Sequence, residues 1–218
     1  MPLPGPRLVF VPGLGLDARS SAGLRARLPG DVVVLPGMGR RGPVPPVDEL
    51  AGELRARLGA GPVLLVGHSQ GCQVVAAAAG DPRVTGVVLL GPTTDPRLRA
   101  WPVLAGRWLR TAAREPWWQV PLVLAQWLRT GPRAMWQLWR VAAPDRIEAR
   151  LRAVRIPVTV VRGTRDRLCP HDWAVAVAAA APAGRLVELP GAAHMTVQTH
   201  WEAVAAVIEG KSGGHVSR

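Results

Sequence analysis

The residues of this chain best placed to do chemistry lie in "LLVGHSQGCQVV", residues 64–75. An apolar run, Leu64 to Val66, stops at Gly67. His68, Ser69, Gln70 and a second glycine, Gly71, follow before the chain turns small and apolar again. A serine hydroxyl is a poor nucleophile until a neighbouring base takes its proton. It must also stand clear of the backbone for a substrate to reach it, which a sharp strand-to-helix turn achieves. Bulky residues two before and two after the serine would clash in so tight a turn, and Gly67 and Gly71 meet that demand. The serine then sits at a helix N-terminus, where the unpaired N–H of Gln70 can bind a developing oxyanion. The chemistry this spacing supports is nucleophilic attack on a carbonyl. The alternative is that Ser69 merely caps the helix.

Such a turn needs a buried strand before it and a small-residue helix after it. The spacing predicts strands over 7–13, 31–37, 61–67, 84–92, 156–163 and 185–191, and helices over 16–28, 47–59, 70–80, 171–181 and 200–209. Asp17 is the candidate N-cap of the first helix, and the second carries Leu50, Leu54 and Leu58 four apart. The strands are continuous apolar runs, not alternating ones. That implies an α/β fold with a mostly parallel sheet of about six strands and helices on both faces. Residues 93–155 differ in composition: they hold seven of the nine tryptophans, and twelve arginines against Asp95, Glu115, Asp145 and Glu148, a balance of +8. They read as three or four short amphipathic helices broken at Pro116, Pro132 and Pro144, a helical cap inserted into the α/β layer. The expected organisation is therefore a core of 1–92 and 156–210, a cap over 93–155 and a disordered tail, 211–218.

With a serine between two glycines at a strand-to-helix turn, the chain resembles the α/β-hydrolase superfamily, in the serine-nucleophile branch with a helical cap. The likeness covers the N-terminal part to residue 92, and 156–209. The family's chain order of nucleophile, acid and histidine implies Asp166, in "GTRDRLCP", as the acid and His194, in "LPGAAHMTV", as the base. Asp166 follows Gly163 at the carboxyl end of a strand, where ligand sites of open α/β sheets lie. It would hold the imidazole tautomer and stabilise its charged form. His194 lies in a Gly/Ala loop before the last helix, with small neighbours that let it reach a serine on another loop. The resemblance also implies a second oxyanion donor after the first strand, in "VPGLGLD". This chain has Pro12-Gly13 where the family usually has His-Gly, and the main-chain N–H of Leu14 is the donor by position. The family's N-terminal antiparallel hairpin is expected to be absent, which would leave a sheet edge exposed.

Other residues compete for these roles. Asp95, in "GPTTDPR", rivals Asp166, because some members place the acid after the earlier strand; Arg165 and Arg167 flank Asp166 and could pair with it structurally. His68 would pack behind the turn, His171 and His200 would start helices, and His215 lies in the tail. Cys72 reads as a small core residue on the helix after Ser69, and Cys169 has no assigned role. The tryptophans would form the interior of the cap or line an apolar pocket between cap and sheet. The arginines would be a solvated face, or would attract an anionic substrate, carrier or membrane.

Composition bounds the rest. The chain has 218 residues, enough for one domain with a substantial core, and 27 basic against 15 acidic side chains, a net charge of +12. No zinc-finger spacing, phosphate-binding loop or RNA-binding signature accompanies that charge, so nucleic acid is not an expected partner. Two cysteines far apart make no disulfide framework. No apolar run spans a membrane or reads as a signal peptide, so a cytoplasmic location is expected, with surface contact with a membrane left open. The expected activity is hydrolysis of an ester or thioester through a Ser-His-Asp triad and an acyl-enzyme, with a small acyl substrate that could carry an anionic group and with no metal or cofactor. Carbon–carbon bond hydrolysis, perhydrolysis and non-catalytic ligand binding on the same fold stand as alternatives, and the oligomeric state stays open.

Overall fold

The structure is a computed structural model that describes residues 5–211 and 215–217. In chain order the elements start with β1 (Arg7–Val11) and α1 (Ala22–Arg27), the latter preceded by a 3-10 turn. Next come β2 (Gly30–Val32), two short strands β3 (Leu35–Pro36) and β4 (Gly39–Arg40), α2 (Val47–Ala56), β5 (Val63–His68), α3 (Gly71–Ala78) and β6 (Val84–Leu90). Four helices follow: α4 (Trp101–Ala112), α5 (Val120–Thr130), α6 (Pro132–Ala142) and α7 (Ile147–Leu151). The chain then returns through β7 (Val158–Gly163), α8 (His171–Ala180), β8 (Gly184–Leu189), α9 (Thr196–Thr199), α10 (Trp201–Ile208) and β9 (His215–Ser217).

Six parallel strands are present, as expected; they stand in the order β2-β1-β5-β6-β7-β8, and β9 adds a seventh. β9 is antiparallel, with Val187 opposite Val216. The tail expected to be disordered thus contributes a strand over 215–217; residues 212–214 and 218, like 1–4, lie outside the described residues. β8 has unpaired backbone groups on its outer side, and this short strand satisfies three residues of them.

Continuous apolar strands arise because both faces of the sheet are covered. In β1, Val9 and Val11 face one side, with Leu65 of β5 and with Leu50 and Leu54 of α2. Leu8 and Phe10 face the other, with Val66 of β5, Leu24 of α1 and Val204 of α10. Each fully buried side chain of this size contributes about 1.5–3 kcal/mol relative to exposure. The chain passes from β1 to β2 on one side and then to β5 on the other, so the direction of winding reverses at β1. The crevice beyond the carboxyl ends of β1 and β5 is the place where such sheets bind ligands.

Local chemistry sets the breaks. The side chain of Asp17 accepts from the Arg19 N–H, and the first expected helix opens as a 3-10 turn before becoming α1. The strand expected over 31–37 leaves the main sheet after Val32; Pro36 and Gly37, the latter at φ 79°, turn it into the small ladder. Gly131 at φ 86° followed by Pro132 separates α5 from α6, and Pro116 caps the 3-10 turn Trp117–Gln119 that leads into α5. The tryptophans of this helical segment are not uniformly interior. Trp127 packs on the Gly15 backbone, where a Cβ would lie 2.5 Å from its ring, while Trp117 is 83% exposed.

Candidate active site

At the end of β5 the backbone makes the sharp turn that the two glycines foretell. Ser69 has φ 54°, in the left-handed region that costs a residue with a side chain about 1–2 kcal/mol. The turn is held at both ends: the Ser69 N–H donates to the Leu90 carbonyl at 2.9 Å, and the Ser69 carbonyl accepts from the Cys72 N–H at 3.0 Å. A Cβ on Gly67 would stand 2.8 Å from the Cys72 Cα, and one on Gly71 2.5 Å from the Val11 carbonyl oxygen. Neither position admits a side chain.

The strands on the other side bring two more groups to the serine. Asp166 follows β7 and His194 follows β8. Their loops interlock because a Cβ on Gly163 would fall 2.3 Å from the Ala192 and Ala193 carbonyls, and the Arg165 N–H donates to Ala192 at 2.9 Å. His194 Nε2 lies 3.0 Å from Ser69 Oγ, and His194 Nδ1 lies 2.7 Å from Asp166 Oδ2. The second carboxylate oxygen, Oδ1, accepts from the Leu168 and Cys169 N–H groups at 2.8 and 3.1 Å. These bonds fix Asp166 in orientation, so Nδ1–H points at the carboxylate and Nε2 faces Oγ with its lone pair. Gly91, at φ 57°, leaves room for the pair: a Cβ there would lie 3.1 Å from His194 Nδ1 and 3.2 Å from Asp166 Oδ2.

Burial alone would lower the pKa of His194, but the charge and hydrogen bond of Asp166, with a contribution from Glu115, raise it above the usual 6.5. Burial likewise pushes Asp166 up; the His194 charge, its hydrogen bond and the two backbone donors prevail and hold the carboxyl below its usual range. The pair therefore favours an ionised carboxylate with an imidazole ready to accept a proton.

The Ser69 hydroxyl has a second neighbour, Gln70 Oε1, at 2.7 Å. A single hydroxyl proton serves one acceptor at a time; with its amide turned over, Gln70 donates to Oγ and leaves the proton to His194. The backbone N–H groups of Gln70 and Leu14 make no hydrogen bond among the described residues. The loop of Leu14 packs directly on the serine, since a Cβ on Gly13 would be 2.8 Å from the Ser69 Cβ.

The competing residues are engaged elsewhere. Asp95 takes three hydrogen bonds from the Arg97 guanidinium, at 2.6–3.0 Å, and caps the turn after it. His68 is buried behind the turn, 3.2 Å through Nε2 from the His194 carbonyl; burial and the neighbouring His194 push its pKa to about 3, so it is neutral. His171 pairs with Glu188, His200 with the Thr199 hydroxyl, and His215 lies on the edge strand. Cys72 and Cys169 are buried and unpaired, and burial raises both thiols well above their usual range. Arg165 and Arg167 form no ion pair with Asp166 among the described residues, and no group of three His, Cys, Asp or Glu there could hold a metal ion.

Five residues that support the site went unmarked in the sequence. Arg162, buried in β7, donates to the Cys169 carbonyl at 3.0 Å and pairs with Glu188, so it ties down the loop that carries Asp166. An arginine inside an apolar strand was the available signal. Glu115 accepts from the N–H of Met195, the residue after His194, at 2.7 Å, and Thr111 accepts from the Arg167 N–H at 3.2 Å. Gln126 and Thr130 bind the Asp17 N–H and the Gly15 carbonyl, at 2.8 and 2.9 Å. Through these bonds α4, the turn after it and α5 hold the three loops around Ser69, which is only 6% exposed, with His194 at 7%.

The fold has counterparts among known proteins. A model of the alpha/beta hydrolase family matches residues 8–207. No curated protein matches the sequence. Among solved structures, a thermophilic esterase superposes with a TM-score of 0.71 at 20% identity, covering 97% of this chain and 91% of its own. An E-2-(acetamidomethylene)succinate hydrolase gives 0.71 at 22% identity, covering 94% and 90%. A hydrolase from Oleispira antarctica gives 0.77 at 12% identity, covering 95% and 90%. Identities this low speak for shared architecture alone.

Proposed function

The chain belongs to the α/β-hydrolase family, and on that premise we propose that it is a serine hydrolase of carboxylic esters or thioesters. The observation that carries this reading is the unbroken line from Ser69 Oγ to His194 and on to Asp166, at 3.0 and 2.7 Å. In the proposed reaction Ser69 Oγ attacks the substrate carbonyl carbon as His194 Nε2 takes the hydroxyl proton. The oxyanion that forms is held by the Leu14 and Gln70 N–H groups. His194 then gives its proton to the departing alcohol or thiol, leaving an acyl-serine. Water, deprotonated by the same nitrogen, attacks the acyl carbon, and the collapse returns the proton to Ser69 and frees the acid. Asp166 keeps its charge throughout and stabilises the imidazolium. The cycle needs no metal or cofactor.

The proposed substrate is a small molecule with an apolar acyl part. Trp127 and Met135 lie on the loop of Leu14, within 2.9 Å of where a Gly15 Cβ would be, and Trp127 meets Trp108 with ring centroids 5.6 Å apart. An anionic group on the leaving side would suit the net charge of +12. Two unpaired, buried cysteines fit a cytoplasmic setting. A panel of p-nitrophenyl esters and acyl thioesters tests the proposal, with Ser69→Ala as control. Turnover that Ser69→Ala removes by several orders of magnitude supports it. A panel without turnover by either protein would point to a ligand-binding role.

A further inference from the structure

Soluble proteins rarely leave large apolar side chains exposed together. Among the described residues, ten large hydrophobic side chains are exposed, and all but Val175 lie between Val103 and Trp136. They are not scattered. Trp117, Val120, Leu124 and Leu128 follow one another at intervals of three and four, the spacing of a single helical face. Trp117 is 83% and Leu128 73% exposed. From Val120 to Leu128, along α5, this stripe runs about 12 Å at the helical rise, and Trp117 extends it from the 3-10 turn before the helix. Leu109 and Trp108 on α4 are also exposed.

The charge near the stripe is predominantly basic. Arg107, Arg110 and Arg114 have no ion pair among the described residues, and Arg129, next to Leu128, reaches Asp17 only at 4.0 Å. The acids of the segment are already engaged: Asp95 with Arg97, Asp145 with Arg150, Glu148 with Arg146, and Glu115 with the Met195 N–H. What the segment presents outward is an apolar stripe in a basic frame. A second copy of this chain is a poor match, since a two-fold contact would set one basic frame against another. The same two helices also hold the loops of Asp166 and Leu14, through Thr111, Gln126 and Thr130.

We propose that the outer face of α4 and α5, with Trp117 and Leu128 at the two ends of its apolar stripe, docks on an anionic lipid surface. Trp117 and the leucines enter the boundary between headgroups and acyl chains, and the arginines meet the lipid phosphates. The inference does not depend on the hydrolase reading. The test uses the full chain with vesicles of pure phosphatidylcholine and of phosphatidylcholine mixed with phosphatidylglycerol. Sedimentation gives the affinity and brominated lipids report tryptophan depth. The wild type should bind the anionic vesicles, with quenching, and lose affinity as salt rises. Trp117→Ser with Leu128→Ser should weaken binding by tenfold or more, about what removing two large apolar anchors entails. Arg110→Ser and Arg114→Ser should each cost about fivefold on the anionic vesicles. Retained thermal melting shows that each variant is folded, and the arginine pair keeps the test alive if the apolar pair does not fold. Absence of binding, equal affinity for neutral vesicles, or unaltered binding by both sets of variants would overturn the proposal. So would a wild-type dimer that Leu128→Ser converts to monomer, or binding to soluble acidic proteins without binding to vesicles.

Discussion

Replacing Asp166 by asparagine isolates what the buried carboxylate does, because the substitution keeps shape and changes charge. The asparagine oxygen can still accept from the Leu168 and Cys169 N–H groups, now at 2.8 and 3.1 Å, so the loop need not move. Its NH2 then faces His194 Nδ1, which sits 2.7 Å from the present carboxylate oxygen. A donor there forces Nδ1 to accept, places the ring proton on Nε2, and leaves nothing to take the proton of Ser69. The lost charge adds to this. With charge centres about 4 Å apart and an effective dielectric near 20, carboxylate and imidazolium attract by about 4 kcal/mol, roughly three decades in rate. The wrong tautomer brings the expected fall in kcat to about 10⁴-fold. Initial rates on a p-nitrophenyl ester, with thermal melting as a check on folding, measure it. Asp95→Asn is the companion. Asp95 is buried, but its partner is Arg97, so the loss should appear as about 1.5–3 kcal/mol of stability with kcat near wild type. A folded Asp166→Asn protein with a kcat within tenfold of wild type would refute the reasoning, as would Asp95→Asn proving the more damaging of the two.

His194 must be neutral to take the serine proton, so kcat/KM should fall as pH drops through its raised pKa, with the acid limb above the ordinary 6.5. Glu115→Gln removes one contributor to that rise and should move the limb to lower pH while leaving the plateau in place, which a pH–rate profile reads directly. Gly91→Ala puts a methyl group 3.1 Å from His194 Nδ1 at a backbone φ of 57°. It should cost about 1–2 kcal/mol in stability and about 10²-fold in kcat, seen by melting and by steady-state rates.

Much of this arrangement was written locally in the chain. Gly67 and Gly71 mark the turn because two clashes, both with main chain, forbid any side chain there. Asp166 and His194 could be located because the resemblance implies an acid and then a histidine in that chain order, and each candidate follows an apolar strand, at the carboxyl edge of the sheet. Contacts between distant segments left no comparable trace. Glu115 and Met195 are eighty residues apart, and nothing in the spacing of either announces their hydrogen bond. The β9 strand escaped notice because "HVS" is too short for periodicity; its pairing depends on the open edge of β8. The tryptophans misled for a related reason. An amphipathic pattern says that one face of a helix is buried, but Trp117 and Leu128 extend the apolar surface to the other face, which a single layer of short helices cannot cover.

The central claim is that Ser69 is a nucleophile activated by His194. A fluorophosphonate probe tests it most directly, since it reacts with an activated serine hydroxyl and leaves a covalent adduct that mass mapping assigns to a residue. The account predicts one adduct, on Ser69 within the stretch 64–75, formed in wild type, absent in Ser69→Ala and strongly slowed in His194→Ala. Wild-type protein that remains unlabelled under conditions where a known serine esterase reacts fully, or an adduct on any other residue, would contradict it.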